Sequence, residues 1–355
     1  RLYGLINERI KLIMAYTTIN KPSDYFNTKL YTGDGTDGRG ITGVGFQPDW
    51  VWIKQRNGTF YHRVFDVIRG VEKELYPNDT GAEVTDNRTL QSFDTDGFTL
   101  GTFSGTNGSG NTFASWNWLA GGTASSNTDG SITSNVSANT TSGFSIVTWT
   151  GSGANATIGH GIDTPKMIIV KCRSTDYHWP VYHHKNGNGN VQYLNLTNAS
   201  ASGSGFWNST TPTSSVFSVG TDNAVNQSGE TYIAYCFQEK KGFSKFGSYT
   251  GNGNADGTFV YTGFRPAFVI IKGSSGITNW TMYDNKRDPF NTTTQNLRPN
   301  TSGAETTDHD IDMLSNGFKH RGSGSGGNGS GISYIYMAFA ENPFVTSSGI
   351  PTCAR

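Results

Sequence analysis

The 355-residue sequence has little charge and few of the residues on which helical proteins depend. Charged side chains make up 15% of the chain and hydrophobic ones 34%, and 27 basic residues balance 27 acidic ones. A neutral chain offers no electrostatic attraction for nucleic acid or for an anionic membrane surface. No apolar run approaches the roughly 18 residues that a membrane span requires. We therefore expect neither nucleic-acid partners nor membrane insertion.

Cysteine and the familiar catalytic motifs are scarce too. Cys172, Cys236 and Cys353 are odd in number and form no CxxC pair, which excludes a disulfide scaffold. No GxSxG, P-loop or HExxH sequence occurs, so the common nucleophile, nucleotide and metalloprotease sites have no support. No cofactor is expected. Met14 resembles a natural start, so residues 1–13 are expected to be either upstream sequence or a short helical extension.

Glycine and aromatic residues are abundant instead. The chain has 46 glycines and 13% aromatic residues. Short runs of β-branched and aromatic residues alternate with turns of Gly, Asn, Asp and Ser, which is typical of strands joined by tight loops. Eight tryptophans, 16 tyrosines and 21 phenylalanines can bury enough apolar surface to exclude a disordered chain.

The decisive feature is an internal repeat. Three segments open with an aromatic-Thr-Gly loop, continue with a proline-led strand that ends in lysine, and close with an Asn- and Gly-containing turn before an aromatic strand. The loops begin at Tyr31, Trp149 and Tyr249, the lysines are Lys54, Lys171 and Lys272, and the aromatic strands cover 113–118, 232–237 and 334–339. Such self-similarity indicates a tandem array.

The repeat divides the chain into three units. We predict an N-terminal extension (1–28), a first unit (29–121), a linker (122–142), a second unit (143–239), a third unit (240–345) and a C-terminal tail (346–355). A unit of about 95 residues with six to eight short strands has the size of a β-sandwich. The predicted fold is therefore all-β, with three β-sandwiches lined up end to end; a jelly-roll connectivity would fit the same pattern.

One glycine pattern resembles a nucleotide site by its letters alone. The segment 33–38 reads GDGTDG and matches GxGxxG. A dinucleotide site would need a helix to begin there, whereas the following residues cannot start one and equivalent loops recur in the other units. We interpret this segment as a surface loop or hairpin.

Acidic residues provide candidate metal and catalytic groups. Asp308, Asp310 and Asp312 alternate, so on a strand their oxygens would share one face and could hold calcium. The segment lacks the glycine and the terminal glutamate of an EF-hand loop, so a solvated loop is the favoured interpretation and calcium is the alternative. Two carboxylates for glycoside hydrolysis must be close in space rather than in sequence. The candidate sets are Glu305, Asp308 and Asp310, and Glu83, Asp94 and Asp96.

Histidines and tryptophans complete the candidate list. His178, His183 and His184 fall close together, but they do not supply the three ligands that a zinc site needs from one face. Trp179 and Trp280 occupy equivalent places, three residues before Tyr182 and Tyr283, and a repeated position favours a core role. Trp207 lies among small polar residues. An exposed tryptophan beside Asn or Asp can stack on a sugar ring, so Trp207 is the better candidate for a glycan site, and Trp179 and Trp280 are weaker candidates because a core role is favoured for them.

The repeated strings resemble a known family of modules. The segments 45–54, 261–272 and 334–341 are similar to repeat modules in virion proteins of marine tailed phages, pelagiphages and cyanophages among them. The likeness covers residues 29–345. The module carries no assigned catalytic residues, so the resemblance implies a structural or adhesive component of the virion.

This resemblance implies a function in attachment. It suggests a non-enzymatic tail-fibre or appendage protein, assembled in the bacterial cytoplasm and acting outside the cell as part of the virion. Its expected partners are other virion proteins, further copies of itself (a trimer above all), and a glycan or protein receptor on the host surface. The alternatives are a capsid-decoration or head-fibre protein, a tailspike enzyme that degrades host polysaccharide, and a bacterial adhesin or lectin.

Overall fold

Strands dominate the molecule. The structure is a computed structural model that describes residues 16–352, and the predictions made for residues 1–13 lie outside that part of the chain. Between these limits the only helical pieces are three four-residue helices and one 3₁₀ turn. The all-β prediction is confirmed. None of the described helices is long and apolar enough to cross a membrane.

The first unit forms a large and a small antiparallel sheet. Its strands are β1 (Phe26–Thr32), β2 (Arg39–Thr42), β3 (Trp50–Gln55), β4 (Arg63–Asp66), β5 (Gly70–Leu75), β6 (Val84–Thr85), β7 (Leu90–Asp94), β8 (Gly97–Leu100) and β9 (Thr112–Trp118), with a 3₁₀ turn at Pro22–Asp24 and helix α1 at Ser104–Asn107. The large sheet has the order β1-β9-β3-β4-β5-β6, and the small sheet has the order β2-β8-β7.

The second unit repeats this plan and extends it. Its strands are β10 (Ser125–Asn127), β11 (Ser134–Asn139), β12 (Phe144–Thr150), β13 (Ala156–Gly159), β14 (Pro165–Cys172), β15 (Pro180–His183), β16 (Asn190–Tyr193), β17 (Ala201–Ser202), β18 (Val216–Val219) and β19 (Thr231–Gln238), with helices α2 (Ser204–Trp207) and α3 (Asn223–Asn226). The large sheet has the order β10-β11-β12-β19-β14-β15-β16-β17, and β13 pairs with β18. The segment 122–142, expected as a linker, thus supplies β10 and β11.

The third unit has the fewest strands. Its strands are β20 (Ser244–Thr250), β21 (Phe259–Tyr261), β22 (Phe264–Gly273), β23 (Trp280–Asp284), β24 (Ile311–Leu314), β25 (Gly317–His320) and β26 (Ser333–Pro343). The large sheet has the order β20-β26-β22-β23, and the small sheet has the order β21-β25-β24. The same three-strand core occurs in every unit: β9 lies between β1 and β3, β19 lies between β12 and β14, and β26 lies between β20 and β22.

The central strands of each large sheet are buried on both faces, and their successive side chains point to opposite sides. In β3, Val51 and Ile53 pack against the small sheet of the same unit. Trp50 and Trp52 point the other way, into a second core. The middle strands β14 and β22 alternate in the same manner. This explains why these strands read as nearly continuous apolar runs.

The second core is shared by the three units. Rings from different units contact one another in pairs: Phe26 and Phe268 (centroids 5.5 Å apart), Trp50 and Tyr235 (4.3 Å), and Phe237 and Phe339 (6.0 Å). The first unit therefore contacts the third, the second contacts the first, and the third contacts the second. The expectation that the units extend end to end is wrong, because they close around a common aromatic centre.

Loops complete the ring of contacts between units. Each unit sends one backbone N–H to a carbonyl two residues beyond the lysine of the next unit. The pairs are Glu83 to Arg173, Ser200 to Ser274 and Glu305 to Arg56, each at 2.8 Å. The two glutamates add charged bonds to the arginine side chains they meet. The same backbone hydrogen bond therefore links each pair of neighbouring units around the central core.

The repeated lysines are structural. Lys54, Lys171 and Lys272 are fully buried, and their ammonium groups donate to backbone carbonyls. Lys171 reaches the Thr80 carbonyl of the first unit at 2.7 Å, and Lys272 reaches the Thr197 carbonyl of the second at 3.0 Å. Burial lowers the pKa of Lys54 and of Lys272 to about 7 and that of Lys171 to about 8. Lys171 and Lys272 thus help to hold neighbouring units together, whereas Lys54 donates to the carbonyls of Gln55 and Gly58 in its own unit.

The repeated asparagines fix the glycine loops. Asn226 is fully buried; its side-chain oxygen accepts the Ser152 N–H at 2.9 Å, and its amide donates to the carbonyls of Ala154 and Gly220. Asn107 and Asn328 make the equivalent bonds in the other units. The segment 33–38 is a loop that leads into β2, as predicted.

Candidate functional site

A cleft of about 580 Å³ opens on the second unit. It lies where β16 ends, where α2 begins and where β18 leads into α3. We call it the Tyr193 cleft; its lining residues are Tyr177, His178, Tyr193, Gly205, Phe206, Thr221, Asp222, Asn223 and Ala224. The volume is within the range of small-molecule sites.

One wall of the Tyr193 cleft is aromatic. The Tyr193 ring lies 5.3 Å from the His178 ring and 6.0 Å from the Phe206 ring, measured between centroids. Tyr193 and Tyr177 are partly exposed and His178 is exposed. The Tyr177 hydroxyl donates to Gln227 at 2.6 Å, which fixes that ring. Ring surface held in this way is available to a ligand.

The other wall is polar and carries a carboxylate. Thr221, Asp222 and Asn223 follow β18, and one Asp222 oxygen accepts the Ala224 N–H at 2.8 Å. Asp and Asn favour this position because their oxygens satisfy a free backbone N–H at the start of a helix. Asp222 and Tyr193 line the same cleft, and burial together with the Asp222 charge raises the pKa of Tyr193.

The first unit fills the equivalent place with its own side chain. Tyr76 corresponds to Tyr193, since each lies two residues before an asparagine whose side chain accepts a backbone N–H. Phe103 takes the place of Asp222. The Arg63 guanidinium carbon lies 4.4 Å from the Phe103 ring centre and 5.3 Å from that of Tyr76. Arg63 also pairs with Glu74 at 2.8 Å. Here the cleft is plugged.

The third unit keeps a smaller and more polar version of about 280 Å³. Arg298 takes the place of Tyr193, and its guanidinium pairs with Asp308. Thr278 and Asn279 replace the Tyr177–His178 pair, and the preceding Ile277 is 79% exposed. This unit therefore lacks the aromatic wall.

A family comparison places the chain among related sequences. The model of a family described as a domain of unknown function (DUF7483) matches residues 21–343. The chain belongs to this family. The match runs through all three units in one piece. No curated protein and no solved structure matches the chain.

The three tryptophans proposed for sugar stacking lie in the core of this DUF7483 chain. Trp179, Trp207 and Trp280 are only 1–2% exposed. The Trp179 indole donates to the carbonyls of Tyr76 and Asp79, and the Trp280 indole donates to that of Tyr193, so both bind across unit boundaries. The glycan-stacking prediction is wrong for these side chains, because a buried indole presents no face to a ligand.

The predicted calcium site does not form. β24 begins at Ile311, so Asp308 and Asp310 precede the strand that was expected to align all three carboxylates. Asp308 pairs with Arg298, and Asp312 pairs with Arg321. Within residues 16–352 no group of three His, Cys, Asp or Glu side chains could hold a metal ion. The calcium prediction is wrong, since arginines already pair with two of the carboxylates.

The carboxylates considered for hydrolysis have structural partners. The groups concerned are Glu83 (bound to Arg69 and Arg173), Glu305 (bound to Arg56 and Arg287), Asp94 (bound to Ser92 and Thr99), and Asp96 (bound to the backbone of Gly43 and Gly45). None of them lines the Tyr193 cleft.

The three histidines separate in space. His183 is buried and contacts the Tyr336 carbonyl, while His184 contacts that of Phe246. His178 alone reaches the cleft. Sequence reasoning missed Tyr177, Tyr193, Phe206 and Asp222. The sequence did contain a signal, because the position nine residues after the repeated lysine is Arg63 in the first unit and Pro180 in the second.

Proposed function

We propose that this chain is a non-enzymatic structural protein of a phage virion, part of a tail fibre or another appendage, that attaches the particle to its host. Other virion proteins, further copies of this chain and a receptor on the host surface are its partners in this proposal. The resemblance of the repeated strings to virion modules is one support. The other is the open Tyr193 cleft on a body built from three joined units.

That cleft is the observation on which the proposal depends. An attachment protein must hold its binding groups in place while a large particle pulls on them. Tyr177 and Tyr193 belong to the large sheet or its loops, and Asp222 follows β18 of the small sheet that packs on it, so the cleft is supported by the packed cores of the second unit. Loops on a rigid scaffold can change sequence without loss of the fold, which suits recognition of a variable host surface.

Binding fits the cleft better than catalysis does. Asp222 is its only carboxylate, and His178 is its only imidazole. Glycoside hydrolysis ordinarily uses two carboxylic groups that face the scissile bond. Glu83 and Glu305, which were considered for that chemistry, are held in ion pairs with arginines that stabilise the fold. This arrangement favours attachment over degradation of a polysaccharide.

Labelling and adsorption measurements test the proposal. Antibodies against the purified chain are expected to label an appendage of intact particles of the encoding phage in electron micrographs. Folded chain added before infection is expected to reduce adsorption, because it competes for the same receptor. Heat-unfolded chain is the control. Label on the capsid, or adsorption that folded chain leaves unchanged, would contradict the attachment function.

A further inference from the structure

The first unit shows what the equivalent cleft accepts. There, the Arg63 guanidinium lies against three rings, at 4.4 Å from Phe103, 5.3 Å from Tyr76 and 5.9 Å from Phe60. The carboxylate of Glu74 completes the arrangement. Aromatic faces carry partial negative charge, so a cation between rings and a carboxylate is doubly stabilised.

The second unit lacks the arginine but keeps two of the three aromatic positions that surround it in the first unit. Pro180 replaces Arg63, and Val191 replaces Glu74. Gly105 gives room to the plug, because a Cβ there would stand 2.7 Å from Arg63 Nη1; the second unit has Ala224 instead. Tyr177 and Tyr193 stand at the positions of Phe60 and Tyr76. The place that the Arg63 guanidinium occupies in the first unit is therefore unfilled in the second unit, and it opens to solvent as the Tyr193 cleft.

The charge of the cleft still suits a cation. Asp222 stands where the first unit has Phe103, so the carboxylate lost with Glu74 is replaced from another loop. No lysine or arginine lines the cleft. An anionic ligand would meet the Asp222 carboxylate without a compensating positive group, whereas a cation would contact both that carboxylate and the Tyr193 ring.

We propose that the Tyr193 cleft binds a saccharide that carries a positively charged amino group. The inference rests on the proposed attachment function, which supplies a glycan-bearing host surface. The hydroxyl groups of a sugar match Thr221 and Asn223, and its C–H face matches the tyrosine rings. The volume of about 580 Å³ accepts more than one sugar ring.

Three disaccharides that differ at one ring substituent test the proposal on the full chain. Chitobiose carries amino groups, N,N′-diacetylchitobiose carries acetamido groups, and cellobiose carries hydroxyls. Calorimetric titration, at a pH where the amines are protonated, is expected to show chitobiose binding about tenfold more tightly than the other two, since one charged contact contributes on this scale. Absence of chitobiose binding, or equal affinity for all three, would overturn the proposal.

Two variants test the location. Asp222→Asn keeps an oxygen that can cap the helix but removes the charge, so the preference for chitobiose should disappear while folding is retained. Asp163→Asn, which removes an exposed carboxylate outside the cleft in the same unit, should leave the preference intact. A preference that survives Asp222→Asn would place the binding site elsewhere and contradict the proposal.

A plugged variant provides a second measurement. Pro180→Arg together with Ala224→Gly returns an arginine to this place, where its guanidinium would contact the Tyr193 ring and pair with Asp222. Chitobiose binding should then be lost, while circular dichroism shows that the variant is still folded. The variants also separate this inference from the attachment function. If folded chain blocks phage adsorption and chitobiose does not bind, the ligand class is wrong and attachment stands; if chitobiose binds and adsorption is unaffected, the cleft is right and attachment is wrong.

Discussion

Asp284→Ala is expected to lower the free energy of unfolding by about 3–5 kcal/mol, because it leaves a buried arginine without its closest counter-charge. The side chains of Asp284 and Arg287 are both fully buried, with 2.5 Å between the Arg287 Nε and the carboxylate. The same carboxylate accepts the Trp116 indole N–H of the first unit at 3.0 Å. One substitution thus breaks an ion pair and a contact between units.

Urea denaturation of the wild type and the variant measures this loss. The matched control is Asp256→Ala, which breaks the pair between Lys319 and a carboxylate that is 84% exposed, and which should leave stability nearly unchanged because water screens such pairs. Equal effects of the two substitutions would contradict the view that the buried pairs join the units.

Acidification from pH 7 to pH 5 is expected to destabilise the fold through its buried histidines. In His183, Nε2 donates to the Tyr336 carbonyl and Nδ1 accepts the Lys185 N–H, so both nitrogens are satisfied only in the neutral ring. His160 repeats this pattern with Thr213 and Ile162. Burial lowers the pKa of His183 to about 3 and that of His160 to about 4.

The direction of the change in stability with pH follows from the protons that the folded and unfolded chains bind. Between the folded pKa and the unfolded value near 6.5, the unfolded chain binds more protons, so stability falls as the pH falls through that window. Each of these histidines contributes about 2 kcal/mol of loss at pH 5 relative to pH 7. Denaturation curves at both pH values measure the sum. His183→Gln should reduce the pH dependence by about one histidine's share; an unchanged dependence would refute the assignment.

The sequence predicted the strands well because their signals are local. Alternation and the proline and lysine landmarks indicate strands with two buried faces. They do not indicate what covers the second face. Trp50, Trp52, Trp116 and Trp118 were the available hint, since two neighbouring strands with four tryptophans on one face require a large apolar partner. That partner is the matching face of the other two units, and only the folded chain identifies it.

The candidate site was predicted less well, for a related reason. Tryptophan was expected at the surface because polar residues surround Trp207 in sequence. In the structure α2 turns that indole inward, where it donates to the Asn190 carbonyl, and leaves the neighbouring Phe206 at the cleft. The exchange of Arg63 for Pro180 between units marks the open cleft. Its meaning depends on knowing that Arg63 lies between aromatic rings, which requires coordinates.

A crystal structure of the chain with chitobiose tests the central claim most directly, because it views the three equivalent clefts in one experiment. We expect an amino sugar in the second unit, with its amino group beside Asp222 and a ring against Tyr193, and an undisturbed Arg63 in the first unit. Sugar bound in place of Arg63, or sugar bound only outside the Tyr193 cleft, would contradict it.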